Sequence, residues 1–188
     1  MKSETYFQKL GDNFCEKVFF FKKYLTSPHS VGSVTPSSKR LGQKISKIIN
    51  KLEPIKILEL GSGTGAITHQ IQNKNPTLVE IDPDLAAILR KKFPKLKILN
   101  SCALLELGRL DSEVGILMSI PLVNNPIKRK FIAAINQARR EQKIKWCVTY
   151  TYGLSNPLPK IFFKNQKRAA VCFLNFPPAS IWVYTQSS

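Results

Sequence analysis

The sequence is poor in acid. Its 188 residues carry 12 Asp plus Glu against 29 Lys plus Arg, a formal net charge of +17. A field of that sign repels acidic partners and draws polyanions, either nucleic acid or an anionic membrane surface. Histidine is scarce, with only His29 and His69. The four cysteines, Cys15, Cys102, Cys147 and Cys172, form no CxxC pair and have no histidine at ligand spacing. That pattern speaks against a metal site and reads as reduced thiols, which implies a cytosolic setting. No apolar run approaches the roughly 20 residues of a membrane-spanning helix. The first residues mix Lys2, Glu4, Lys9, Asp12 and Glu16 with apolar ones, a mixture foreign to the core of a signal peptide. Repeats and low-complexity linkers are missing too, so the length fits one domain with its own core.

What is present is periodicity. Phe7, Leu10, Phe14, Val18, Phe21 and Leu25 step by three and four, which predicts an amphipathic helix over 5–25. Lys9, Lys17, Lys22 and Lys23 flank it, so it can cap its own core or lie in a membrane interface. A loop rich in Ser, Pro and Gly covers 27–40. It leads into a helix over 39–52, with Leu41, Ile45, Ile48, Ile49 and Leu52 on one face and Ser37 or Ser38 as N-cap. Strands are expected at 55–60, 78–82, 96–100, 114–119 and 146–152, and helices at 65–73, 84–93 and 127–142. Such alternation argues for a parallel sheet covered on both faces. The last strands, 169–175 and 180–185, are separated only by Phe176-Pro177-Pro178-Ala179, too short for a crossover helix, so they pair antiparallel. The expectation is an α/β, Rossmann-like fold of the class I S-adenosylmethionine-dependent methyltransferase type. Its mostly parallel sheet ends in an antiparallel hairpin. Residues 1–38 hold the amphipathic helix and a substrate loop, and 39–188 the methyltransferase domain.

Glu59-Leu60-Gly61-Ser62-Gly63-Thr64-Gly65 closes the first strand. Its glycines permit a sharp turn and close approach of a ligand. The spacing lacks the GK[ST] of a phosphate-binding loop and brings the last glycine one position early for a dinucleotide fingerprint. Glu80, ending the second strand, is placed to take ribose hydroxyls. Glu59 would repel a pyrophosphate and attract an amino group and a sulfonium. S-adenosyl-L-methionine is the cofactor these residues fit, held by Glu59, Gly61, Ser62, Gly63, Gly65 and Glu80, with Ile81, Cys102, Ala103 and Ser119 around it. Cys102 stands where an Asp for the adenine amine is expected, and a thiol is a weak acceptor.

Five segments carry a family likeness between Phe19 and Tyr184: FFKKYLTSPHSVGSVTPSSKRL, ELGSGTGAIT, MSIPLVNNP, TYTYG and NFPPASIWVY. Together they make the chain resemble the bacterial phospholipid N-methyltransferases, which are similar in turn to the rRNA adenine dimethyltransferases. The resemblance implies an enzyme that methylates the amine of phosphatidylethanolamine or a similar aminolipid. It implies a cytoplasmic protein, peripheral on the inner face of the cell membrane, where anionic lipid attracts each lysine by about 1 kcal/mol. It ranks nucleic acid below the membrane as a partner.

Methyl transfer is an in-line displacement that needs alignment and desolvation more than a strong base. Ser119 or the Ile120 carbonyl would accept from the substrate amine, beside Pro121. Tyr150, Tyr152 and Phe176 lie at the carboxyl-end edge, where aromatic faces would stabilise a methylated cation. Tyr152 and Ser119 are the catalytic candidates. Ser37, Ser38 and Asn175 complete the substrate set, with a lipid phosphate at the helix start helped by Lys39 or Arg40. His29 is a candidate base and His69 a surface residue. The phospholipid family's Ser-Gly-Leu-Pro is Met118-Ser119-Ile120-Pro121 here, and a family Gln is Thr149. The alternative is an RNA adenine N6-methyltransferase, whose members resemble Asn-[Ile/Leu]-Pro-[Tyr/Phe] at Ser119 to Leu122. Against it stand the lack of a flat aromatic at Leu122 and a chain that stops after its last strand. A second alternative is a non-catalytic membrane-binding module, supported by Cys102.

Overall fold

The structure, a computed structural model, describes residues 36–120, 122, 127–158, 163–173 and 178–186, with Pro36, Ser37 and Ser38 described in backbone only. The expected N-terminal helix over 5–25 and His29 lie outside the described residues, as do Pro121, Asn175 and Phe176.

Five helices and seven strands alternate along the described chain. In chain order they are α1 (Pro36–Ile49), β1 (Ile57–Leu60), α2 (Thr68–Ile71, continued by a 3-10 turn at Gln72–Lys74), β2 (Thr77–Glu80), α3 (Pro83–Lys92), β3 (Ile98–Asn100), α4 (Ala103–Gly108), β4 (Val114–Met118), α5 (Lys128–Arg140), β5 (Ile144–Tyr152), β6 (Asn165–Cys172) and β7 (Ala179–Thr185). One sheet holds all seven strands in the order β3-β2-β1-β4-β5-β7-β6. Strands β1 to β5 pair in parallel, and β7 pairs antiparallel with both β5 and β6. The class I methyltransferase fold is therefore the fold of this chain. Chain order reverses direction between β1 and β4, and sheets of this kind bind ligands outside the carboxyl ends of the strands at that reversal.

Burial explains the strand signals. All residues of β1, β2 and β4 are buried, as expected of central parallel strands covered on both faces. On one face α1 lays Leu41, Ile45 and Ile49 against Ile57, Leu117, Trp146, Val148 and Ile181. On the other, α4 and α5 place Leu104, Leu107, Phe131 and Ile135 over Leu58, Leu60, Ile116, Met118 and Tyr184. The start of α3 is written locally: Asp82 is the N-cap, its Oδ1 accepts from the backbone N–H groups of Asp84 and Leu85 at 2.9 and 3.2 Å, and Pro83 opens the helix. Such a cap contributes about 1 kcal/mol.

Several expected boundaries move. The helix over 65–73 shortens to one turn of α-helix and a 3-10 turn, because the glycine turn extends through Ala66. The six-residue α4 was not expected, and β6 begins at Asn165 rather than 169. That early part of β6 is largely exposed, so its Asn-Gln-Lys-Arg run shows no buried alternation. The outer edge of β6 meets α1 through Lys44, whose Nζ donates to the Val171 carbonyl at 2.7 Å.

Candidate functional site

The loops leaving β1, β2 and β4 converge at the reversal point. The glycine turn is anchored on β2: Gly61 and Ser62 donate their backbone N–H groups to the Val79 carbonyl at 2.8 and 3.2 Å. Gly61 has φ +75°, and a Cβ there would stand 2.5 Å from Cγ1 of Ile120, so the β4 exit lies directly against the turn. Gly63, at φ +59°, faces no heavy atom within 4 Å of such a Cβ, which leaves a left-handed turn beside open space. Gly65 and Ser62 are buried within the same turn.

Glu80 is fully buried. Its Oε2 accepts from Gly63 N–H at 2.7 Å and its Oε1 from Asp82 N–H at 3.0 Å, tying the end of β2 to the glycine turn. Ile81 follows, half-buried, and its carbonyl accepts from the Asn100 amide at 3.1 Å. Cys102 and Ala103 are buried at the start of α4. Cys102 is the N-cap residue there, and its thiol makes no cap hydrogen bond. One turn on, Glu106 accepts from Ser101 Oγ at 2.7 Å and pairs with Arg109 at 3.2 Å. That carboxylate beside the expected adenine position was not foreseen. A Ser-x-x-x-x-Glu spacing across a helix start was the available signal.

Glu59 is also fully buried, on the α1–α2 face of β1. Thr68 donates from Oγ1 to Oε2 at 2.8 Å, and Ser119 Oγ lies 3.5 Å from Oε1. Backbone register carries Ser119 there: its N–H donates to the Leu60 carbonyl at 2.9 Å, continuing the β1–β4 ladder by one residue. Ile120 is half-buried beside it. The structure thus brings Glu59, Gly61, Ser119 and Ile120 together. Leu122 is buried and presents no face to a substrate.

Tyr150 and Tyr152 stand on one face of β5, edge to face, with ring centroids 6.2 Å apart and an interplanar angle of 88°. Tyr150 is half-buried and Tyr152 is 56% exposed. Burial, then the neighbouring Tyr152, then the Glu59 charge push the Tyr150 hydroxyl above its ordinary value. Burial does the same for Tyr152. Both remain neutral phenols near neutral pH, so neither is a ready base. Thr149 is fully buried, and its Oγ1 has no hydrogen-bond partner among the described residues. His69 is exposed on α2. Among the described residues no cluster of three His, Cys, Asp or Glu could hold a metal ion.

These residues fit S-adenosyl-L-methionine. The open side of Gly63 admits a ligand, and carboxylates stand at or next to the ends of β2 and β1, which suits an amino group and a ribose and opposes a pyrophosphate.

Comparison with known proteins agrees on the fold and corrects the substrate. The profile of a family described as "Ribosomal RNA adenine dimethylase" matches residues 37–177. Among curated proteins, Ribosomal RNA small subunit methyltransferase A of Hydrogenobaculum is 34% identical over 110 residues, covering 57% of this chain and 43% of the relative. Its counterpart in Chlorobium phaeobacteroides is 35% identical over 82 residues, covering 40% and 30%. The chain therefore spans less than half the length of these relatives. Among solved structures, the 23S rRNA methyltransferase ErmE superposes with a TM-score of 0.58 at 18% identity, covering 79% of this chain and 68% of that one. The putative methyltransferase yhhF of Escherichia coli gives a TM-score of 0.63 at 13% identity, covering 84% and 91%.

The phospholipid reading is accordingly withdrawn. The matched family and curated relatives are named for ribosomal RNA, so the aminolipid substrate, the membrane partner and the ranking of nucleic acid below it were wrong. The profile runs through Ser119 to Leu122 although Leu122 is not the aromatic expected of an adenine methyltransferase. The peripheral place on a membrane falls with the lipid. No helix among the described residues is long and apolar enough to cross one.

Proposed function

The chain belongs to the ribosomal RNA adenine dimethylase family, and from that premise we propose that it transfers methyl groups from S-adenosyl-L-methionine to the exocyclic amine of an adenine in ribosomal RNA. The observation that carries this is the span of the match, 37–177, which takes in the glycine turn, the β4 exit and β5. The net charge of +17 suits an RNA partner, since lysine and arginine neutralise phosphate and release counterions.

The cofactor supplies an electrophilic methyl on a sulfonium. Gly61, Ser62, Gly63 and Gly65 admit it, Glu80 and Ile81 take its ribose side, Cys102 and Ala103 border its adenine, and Glu59 faces its amino group. An adenine amine is a weak nucleophile because its lone pair is shared with the ring. Ser119 and the Ile120 carbonyl accept its hydrogens and return electron density to the nitrogen. Tyr152 offers an exposed ring to the base, backed by Tyr150. Ser37, Ser38, Lys39 and Arg40 at the start of α1 supply charge and donors to the RNA backbone rather than to a lipid phosphate.

The test offers purified protein and radiolabelled S-adenosyl-L-methionine first unmethylated ribosomal RNA, then liposomes containing phosphatidylethanolamine. Label in digested RNA as methylated adenosine supports the reading, and label in the lipid extract alone overturns it.

A further inference from the structure

Beneath the glycine turn, the buried Glu59 carboxylate is met by hydroxyls from separate elements. Thr68, itself fully buried on α2, donates to Oε2 at 2.8 Å, and Ser119 at the end of β4 reaches Oε1 at 3.5 Å. Tyr150 on β5 is near enough to feel the Glu59 charge. An ionised carboxylate accepts hydrogen bonds and donates none, whereas a hydroxyl has one proton and two lone pairs. If the Ser119 proton points down to Oε1, its lone pairs are what remain for the mouth of the site. A threonine in a helix can instead bond the carbonyl one turn back. Thr68 gives its proton to Glu59.

From this geometry we infer that Thr68 is a positioning residue. Its hydroxyl holds Glu59 in the orientation that draws the Ser119 proton inward, so that Ser119 acts as a fixed acceptor for the N–H of the incoming amine. The inference rests on the N-methyltransferase reading above and deepens it. The site selects a nitrogen that still bears hydrogen and offers nothing to one fully alkylated.

Thr68→Val keeps the side-chain shape and removes the proton. With ribosomal RNA as acceptor, kcat falls roughly tenfold, and Thr68→Ser restores the rate. In a Ser119→Ala background the same change costs less than about twofold, because both residues act through one carboxylate. An equal loss in both backgrounds overturns the inference. A second readout needs no activity. Thr68→Val lowers the Tm, and the same change in a Glu59→Gln background lowers it by about half as much or less, because the bond to a charged carboxylate is the stronger one. An equal drop in both backgrounds overturns the hold on Glu59. A drop confined to the Glu59 background in a protein that never labels RNA supports that hold and sinks the substrate reading instead.

Discussion

Glu80 is the last residue of β2 and Glu59 the last but one of the neighbouring β1, and both are fully buried. They are served by different chemistry. Glu80 receives backbone N–H groups from Gly63 and Asp82, while Glu59 receives side-chain hydroxyls from Thr68 and Ser119. Backbone donors are fixed by the path of the chain, and any residue with the right φ supplies them. Hydroxyls turn, and one substitution removes them. The ribose end of the site is thus set in main chain, and the end that meets the cofactor's amino group and the incoming amine in side chains. The sequence departs from the expected pattern of the adenine methyltransferases at the side-chain end, where Ser119 and Leu122 stand at the positions of an Asn and an aromatic.

Experiments can strain that contrast, beginning with the largest effect. Glu80→Ala strands the two backbone donors it serves. Hydrogen bonds to a charged group contribute about 1.5–3 kcal/mol each, so affinity for S-adenosyl-L-methionine by calorimetry drops by about a hundredfold or more. An affinity within a few-fold of wild type would break the assignment of the ribose end. Ser119→Ala acts on the other end: kcat falls by about 10²-fold while cofactor affinity barely moves. Equal loss in both quantities would erase the distinction between the two ends.

Smaller effects sharpen the comparison. Tyr152→Leu removes an exposed ring, and RNA binding weakens by about 1–3 kcal/mol if a base stacks there, with Tyr152→Phe neutral. Stability in both variants stays within about 0.5 kcal/mol, as for other surface substitutions, which melting curves check. The smallest change is a gain. Cys102 sits at an N-cap with φ −75° and ψ 128°, and its thiol caps nothing. Cys102→Asp supplies an acceptor to α4 and raises stability by about 1 kcal/mol, read as a Tm increase of about 2–4 °C. No gain in Tm would mean that the buried surroundings of residue 102 reject a carboxylate.

Much of the fold was legible because central strands and amphipathic helices leave strong patterns. Ile57–Leu60 reads as a buried run, Leu41, Ile45 and Ile49 share a helix face, and the short Phe176–Ala179 link demanded an antiparallel pair. The failures have physical reasons. Six residues are too few to show a helical period, which hid α4, and the exposed early part of β6 has no burial to alternate. In the site, Glu59 and Glu80 could be placed from strand ends alone. Thr68 could not, since its partner lies nine positions away and only the turn of the chain makes them meet. The substrate was misread because the resemblance of segments such as VGSVTPSS and NFPPASIW was taken to imply an aminolipid, and a net charge of +17, which attracts any polyanion, could not tell phosphate in RNA from phosphate in lipid.

The contact between Lys44 and Val171 has a consequence for how the protein behaves in a crowded solution. β6 is the last strand on its side of the sheet, and a terminal strand offers unpaired carbonyls to any extended peptide that drifts past. Lys44 occupies one of those carbonyls with a cation, and Lys167 and Arg168 expose further charge along the same strand, where the register also slips before Ala170. A second β-strand approaching that border would have to displace an ammonium, lie beside like charges and follow a kink. The sheet can end there without becoming a seed for its own aggregation.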